Sequence, residues 1–343
     1  MSADDIREEF RQNAEGWAKM GSPLMARLAR LFADRLDDST ETGQRMLNWV
    51  PNIEDALLLR LTGGLHRLVL EGRAPVLAAA YADPDVSDDA LWTALDKTLR
   101  HRDGELLQSL NSAPQTNEVR RSAVLIPVAH LLTARLGLPL VISELGSSAG
   151  LNLLFDQFGL VINGQHYGPD AAEVTLTPDW EGPLPPHAPP QVVAREGVDL
   201  NPLDPKADAL RLLSYIWPDQ PERLARTKTA LDLAALQAPT VTQGDAVDWL
   251  EQRLTMHLPG RLHVVWHTVF WQYLPPDARA RATAMLEAAG AKASADAPLA
   301  HFAMENAPDG KSAALTLTLW PSCEVIDLGR ADFHGRWVKW HAA

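Results

Sequence analysis

Apolar residues recur at intervals of three and four through SPLMARLARLFADRL and IEDALLLRLTGGLHRLVL, the spacing that gathers them on one side of a helix. A further segment, SDDALWTALDKTLRHRDGELLQSL, opens on Ser87 as an N-cap with Asp88 and Asp89 behind it. From about residue 6 to 136 nothing alternates convincingly with period two. This pattern predicts an α-helical domain over residues 1–136, a bundle or a cap, with Thr62-Gly63-Gly64 inside a helix.

The character changes at Leu138. LPLVISELG is a short apolar run with Pro139 at its head, suited to a strand buried on both faces. VVAREGVDLNPLD, APTVTQGDAVDWL, RLHVVWHTVFWQYL and LAHFAMEN are similar strand candidates separated by helical stretches. ARARATAMLEAAG is the clearest of those helices, with Gly290 as its stop. Strands alternating with helices imply a mostly parallel sheet covered on both faces. ALTLTLW and CEVIDLG, joined by Pro321-Ser322, leave no room for a helix and should form an antiparallel hairpin at the sheet edge. Residues 157–192 are a proline-rich insertion: Asn163-Gly164 predicts a small hairpin, and GPLPPHAPP should be extended and irregular. The expected fold class is therefore α/β, with an α-helical domain before a sheet domain over residues 137–343.

Composition narrows the function classes. A formal net charge of −13 in 343 residues argues against a nucleic-acid partner, because such affinity rests largely on basic faces that release phosphate counterions. No apolar run is long enough for a membrane span. The acidic, amphipathic start MSADDIREEFRQNAEGW is unlike a signal peptide, so a cytoplasmic location is expected. The single Cys323 has no partner for an intramolecular disulfide.

The candidate chemistry centres on LVISELGSSAGLNLL, residues 140–154. Gly146-Ser147-Ser148-Ala149-Gly150 fits G-x-S-x-G, in which Ser148 would be a nucleophile with Asp245 and His334 following in chain order. The upstream oxyanion segment of that motif is missing. The same stretch resembles the E/D-x-G-x-G-x-G turn of class I S-adenosylmethionine-dependent methyltransferases, with Glu144 as the acid and Ser148 in place of the middle glycine. In that resemblance Gly146 and Gly150 permit close approach of a ligand, and the following helix offers free N–H groups to a carboxylate.

Further segments resemble that family in chain order. Asp199, with Leu200 after it, matches the acid that grips the ribose hydroxyls, although it follows the turn by far more than the roughly 20 positions usual for such an acid. Asp245-Ala246 matches the loop that meets the adenine amino group. Trp266 and His267 match the fourth strand, whose end borders the transferred methyl. The resemblance implies a Rossmann-like methyltransferase sheet. Its expected cofactor-binding residues are Glu144, Gly146, Ser147, Ser148, Gly150, Asn152, Asp199, Leu200, Asp245, Ala246 and Trp266. S-adenosylmethionine would be the cofactor, and a small molecule or protein side chain the acceptor. A serine hydrolase, or a nucleoside-binding module without transfer, remain open alternatives.

The whole chain also resembles an uncharacterised bacterial family, domain of unknown function 2332. Gln115-Thr116-Asn117-Glu118 with Arg121-Ser122, Glu144-Leu145-Gly146 with Ser148-Ala149-Gly150-Leu151-Asn152, Arg195 with Gly197-Val198-Asp199, and His334-Gly335 with Trp337 and Trp340 carry this likeness. Gln115, Asn117, Glu118 and Arg121 are candidate catalytic residues. Capping by Thr116 or Asn117, with Glu118 favoured by the helix dipole, is the competing account. His267 is the candidate general base, since its ordinary pKa lies near neutrality. Glu305, after the fifth strand, could reach the site; an exposed loop acid is the competing account. Trp337 and Trp340 would share a face if helical. No metal-ligand spacing is present.

Overall fold

The computed structural model of the chain describes residues 2–50 and 56–342; Ile53–Asp55 of the second periodic segment lie outside them. Contacts divide the chain into two compact units, Met1–Thr116 with Ala207–Lys228, and Asn117–Lys206 with Thr229–Ala343.

In the first unit, the described residues before the division form α1 (Ala3–Lys19), α2 (Pro23–Arg35), α3 (Glu41–Leu47), α4 (Leu57–Leu70), α5 (Pro75–Ala82), α6 (Asp88–His101) and α7 (Asp103–Ser109). Ile6, Phe10, Ala14 and Trp17 recur at helical spacing and are all buried, so α1 supplies one stripe of the core. Ser87 caps α6 as expected, accepting from the Ala90 amide at 3.2 Å. Among the described residues no helix is long and apolar enough to cross a membrane.

The second unit opens with α8 (Ser122–Leu136), so this helix falls on the sheet side of the division. Then come β1 (Leu140–Leu145), β2 (Gly159–Ile162), β3 (Gln165–Tyr167), β4 (Thr175–Leu176), β5 (Asp179–Glu181) and β6 (Val192–Asp199). The excursion into the first unit holds α9 (Ala209–Ser214) and the start of α10 (Pro221–Gln237). After it follow β7 (Thr240–Gln243), α11 (Ala246–Arg253), β8 (Leu262–Thr268), α12 (Pro276–Gly290), β9 (Leu299–Asn306), β10 (Ala313–Trp320), β11 (Glu324–Ala331) and β12 (Trp337–Trp340).

Nine strands form one sheet in the order β5-β12-β11-β10-β9-β8-β1-β6-β7. From β7 to β9 every neighbouring pair is parallel, and β9 to β12 is an antiparallel run. The protein is thus α/β, with a large mostly parallel sheet, carboxyl-terminal antiparallel strands and amino-terminal helices. Every residue of β1 and β8 is buried, as the unbroken apolar runs require of strands covered on both faces. Val247 and Leu250 of α11 and Ala282 and Leu286 of α12 join Val198 and Val265 in one core cluster. Phe155 meets Trp266 edge to face at 4.9 Å.

Three expectations change. The β10–β11 hairpin forms, but β12 and β5 continue the sheet beyond it, so it is not at the edge. Trp337 and Trp340 lie on strand β12 rather than on a helix; pairing with β11 supplies the backbone partners a helix would have supplied. Gly290 ends α12 in helical conformation with Ala291 as C-cap. Glycine is required there by contact, since a Cβ would meet the Trp320 indole at 2.4 Å. The insertion behaves as expected. Asn163 and Gly164 both take positive φ, 49° and 83°, in the turn between β2 and β3. The irregular stretch is held by Tyr167, whose hydroxyl donates to the Pro185 carbonyl at 2.8 Å, and by His130, which accepts from the Ala188 amide at 3.1 Å.

Candidate functional site

Counted along the chain, the parallel strands run third, second, first, fourth, fifth (β7-β6-β1-β8-β9) across the sheet. Strand order reverses between β1 and β8. At such a reversal the connections leave in opposite directions and open a crevice beyond the carboxyl ends of the strands. The Gly146–Gly150 turn sits there.

Its backbone alternates. Gly146, Ser148 and Gly150 have φ of 72°, 54° and 73°. A serine in the left-handed region costs roughly 1–2 kcal/mol, and the carboxylate of Asp199 offsets it by accepting from the Ser148 amide at 2.8 Å. Asp199 also accepts from Asn201 N at 2.9 Å. The expectation of free N–H groups after the turn is corrected. Gly146 and Ser147 donate to the Val198 carbonyl, Gly150 to Ser147 and Leu153 to Gly150. The Leu151 amide donates to Asn117 Oδ1 at 2.9 Å. The helix that follows, Leu151–Gln157, is a short 3-10 helix, and its first donors are already taken. Gly146 is also covered: a Cβ there would meet the Phe270 ring at 2.3 Å.

Residues from distant parts of the sequence clamp this turn. Glu118 caps the 3-10 helix Val119–Arg121 through the Arg120 amide, which corrects Thr116 or Asn117 as the cap. Asn117 is freed to reach Leu151. Asn152 donates to the Glu118 carbonyl at 3.2 Å and accepts from Ser122 Oγ at 2.8 Å. Arg121 donates to the carbonyls of Thr268, at the end of β8, and Phe333. Gly335 lies against the Arg120 carbonyl. Arg195 donates to the Leu153 carbonyl at 2.9 Å and pairs with Asp156. Ser147 is buried with its Oγ donating to the Glu144 carbonyl at 2.9 Å, and a Cβ on Gly197 would overlap that oxygen. Gln115 lies half-buried in the segment ending the first unit.

Glu144 is buried, and its Oε2 has no hydrogen-bond partner among the described residues. Burial raises its pKa to about 8 against the lowering field of Arg121, with Asp199 raising it further. In register with Glu144, and so on the same face of the sheet, stands Trp266, whose buried Nε1 is also without a partner. Gly197 pairs with Glu144 on the other side, which places Asp199 on this face as well. The structure therefore brings Glu144, Trp266, Asp199 and the turn together.

His267 stands apart. It pairs in register with Leu145, not Glu144, so its ring faces the opposite side of the sheet. There Glu305 Oε1 receives His267 Nδ1 at 2.6 Å, and also accepts the Phe270 and Trp271 amides at 2.9 and 3.1 Å. Glu305 therefore fixes the ring. The His267 Nε2 lies 3.0 Å from His301 Nε2, so the two rings share one proton. Burial, then the neighbouring His267, lowers the His301 pKa to about 3. Trp271 stacks on His267 at 4.5 Å. Sequence reasoning missed His301; nothing local in LAHFAMEN ties it to a histidine 34 residues upstream.

Two other expected binding residues have ordinary work. Asp245 caps α11, accepting from Val247 and Asp248 at 2.9 and 3.0 Å, and Ala246 is buried in its first turn. Leu200 is 73% exposed beyond the end of β6. Among the described residues no group of three or more His, Cys, Asp or Glu is placed to hold a metal ion.

The fold and this clamped turn define an α/β protein with its candidate site at a strand-order reversal. The chain belongs to the family described as "Uncharacterized protein conserved in bacteria (DUF2332)", whose model matches residues 7–340. No curated protein and no solved structure matches it.

Proposed function

We propose that the parallel half of the sheet is a class I methyltransferase-like, Rossmann-type sheet, and that the protein transfers a methyl group from S-adenosylmethionine to a small molecule or protein side chain. One observation carries the reading. The left-handed residues Gly146, Ser148 and Gly150 alternate directly after a buried acid, at the reversal point, with the acid of the next strand bonded to the middle residue. The donor set fits a nucleoside in part. Each oxygen of Asp199 uses one lone pair on an amide and keeps another for a ribose hydroxyl. Glu144 Oε2 and Trp266 Nε1 are buried polar atoms in want of partners. S-adenosylmethionine supplies a methyl group on a sulfonium, for which positioning and water exclusion matter most. The residues of this chain would hold the nucleoside and keep it dry. Both ring nitrogens of His267 are engaged, Nδ1 by Glu305 and Nε2 by His301, so it carries no step in this reading.

A nucleoside-binding module without transfer is the second reading, favoured by Phe270 against Gly146. A hydrolase reading loses Asp245 to the cap of α11. Thermal-shift titration with S-adenosylmethionine and S-adenosylhomocysteine is expected to raise the melting temperature as saturation proceeds, with Ser148→Ala responding like the parent. Stabilisation by neither nucleoside sinks both readings. Covalent labelling of Ser148 by a fluorophosphonate would replace them with a hydrolase.

A further inference from the structure

A second hollow opens at the opposite end of the same sheet. It measures about 480 Å³ and is lined by His263 near the start of β8, Leu299 at the start of β9, and residues at and beyond the carboxyl ends of α11 and α12. That volume lies within the range of small-molecule sites. Ten of its fifteen lining residues are apolar, Met256 and Met285 among the larger.

Its polar side chains are Glu251, Thr255, His257, His263 and Lys292. His263 is 5% exposed, and its Nε2 lies 2.8 Å from Ser143 Oγ, itself wholly buried. Ser143 Oγ already accepts from Arg253 Nε at 3.1 Å. The serine proton therefore has one partner, the His263 Nε2, and the histidine hydrogen must reside on Nδ1. Burial and the Arg253 charge hold the His263 pKa down to about 4, so the ring is neutral at pH 7. Nδ1–H has no partner among the described residues, and the ring lines the hollow. At the rim stands Lys292, which forms no ion pair among the described residues. The lining acid, Glu251, pairs with Arg281 at 2.6 Å, an arginine it shares with Asp248 at 2.7 Å. A buried N–H donor, an uncommitted ammonium and an apolar wall together select one chemistry.

We propose that this hollow is a binding site for a small monocarboxylate with an apolar body, its carboxylate bridging His263 Nδ1–H and the Lys292 ammonium and its hydrocarbon lying against Met256 and Met285. This site is separate from the proposed nucleoside crevice and stands or falls without it.

Labelling the methionine methyls of the full chain with carbon-13 gives seven signals, and octanoate is the probe. Octanoate is expected to shift the Met256 and Met285 signals in a saturable way, and octanamide to bind about tenfold more weakly for want of the charge. Lys292→Gln, an exposed change that leaves the fold intact, should weaken octanoate about as much and leave octanamide unchanged. Unmoved Met256 and Met285 signals would overturn the proposal. So would equal binding of acid and amide, or an octanoate affinity indifferent to Lys292→Gln.

Discussion

Glu144 is an acid that the fold keeps protonated, and that has a consequence for stability. Its folded pKa, about 8, lies above the ordinary carboxyl value of 4.5 because burial penalises the charge. Below pH 4.5 folded and unfolded chains both hold the proton, and the residue is neutral toward folding. Between 4.5 and 8 the unfolded chain releases a proton the folded chain retains. Its share of stability is therefore lost as pH rises, by on the order of 4 kcal/mol. Glu144→Gln removes that titration. Urea denaturation at pH 5 and pH 8.5 should show the parent losing more stability than the variant; parallel losses would refute the assignment. Such chemistry was half legible beforehand. An acid ending a buried strand announces itself in ISELG, and the resemblance assigned Asp199 to the ribose hydroxyls of a cofactor. Its bond to the Ser148 amide was not legible, since a hydrogen bond across 51 positions leaves no local trace. Asp245 shows the converse. An acid before a helix caps it wherever it sits, and that elementary account sufficed.

At the scale of elements, periodicity carried the reading where one face of an element is buried. It failed where contact with a distant element decides the residue type. The helices of the first unit and strands β1, β6, β7, β8 and β9 follow their apolar spacing. WVKW does not declare itself, because four residues satisfy helix and strand patterns alike, and pairing with β11 decides. Glycines inside helices are the other blind spot. In exposed helix positions alanine exceeds glycine by about 1 kcal/mol. Gly63 of α4 should behave oppositely. A Cβ there would meet the Tyr215 ring at 2.6 Å, and a ring in a filled core yields only by displacing its neighbours. Gly63→Ala is expected to lower stability by about 1–3 kcal/mol, read as a fall in the urea midpoint with unchanged slope. A rise in the midpoint would show that Tyr215 moves aside freely. Tyr215→Ala in the same background should recover part of the loss.

Across the whole molecule, chain order and spatial order part company, and this is where the sequence was least legible. The helical segment and the sheet segment were both apparent, as was the parallel character of the sheet. The return of residues 207–228 to the helical unit was not, because α9 and α10 read as ordinary helices between strands. That return is built in. Asp219 accepts from Ser22 Oγ at 2.6 Å and from the Leu24 amide at 3.0 Å, completing the cap of α2. Trp217 packs on Trp17 at 5.9 Å. The Ser214 carbonyl meets the buried His66 at 3.2 Å, and Tyr215 covers Gly63. Residues 1–116 alone would expose these surfaces to water and lose the hydrogen bonds to α2 and α4, each worth about 0.5–1.5 kcal/mol, together with the apolar burial, against a total stability of roughly 5–15 kcal/mol for a domain. The fragment 1–116 is therefore expected to be helical by far-ultraviolet circular dichroism but to melt without a cooperative transition. Joining 207–228 to it through a short Gly/Ser linker should restore a sigmoidal melt. If the two fragments melt alike, the returning segment is an ornament of the helical unit and not a part of its core.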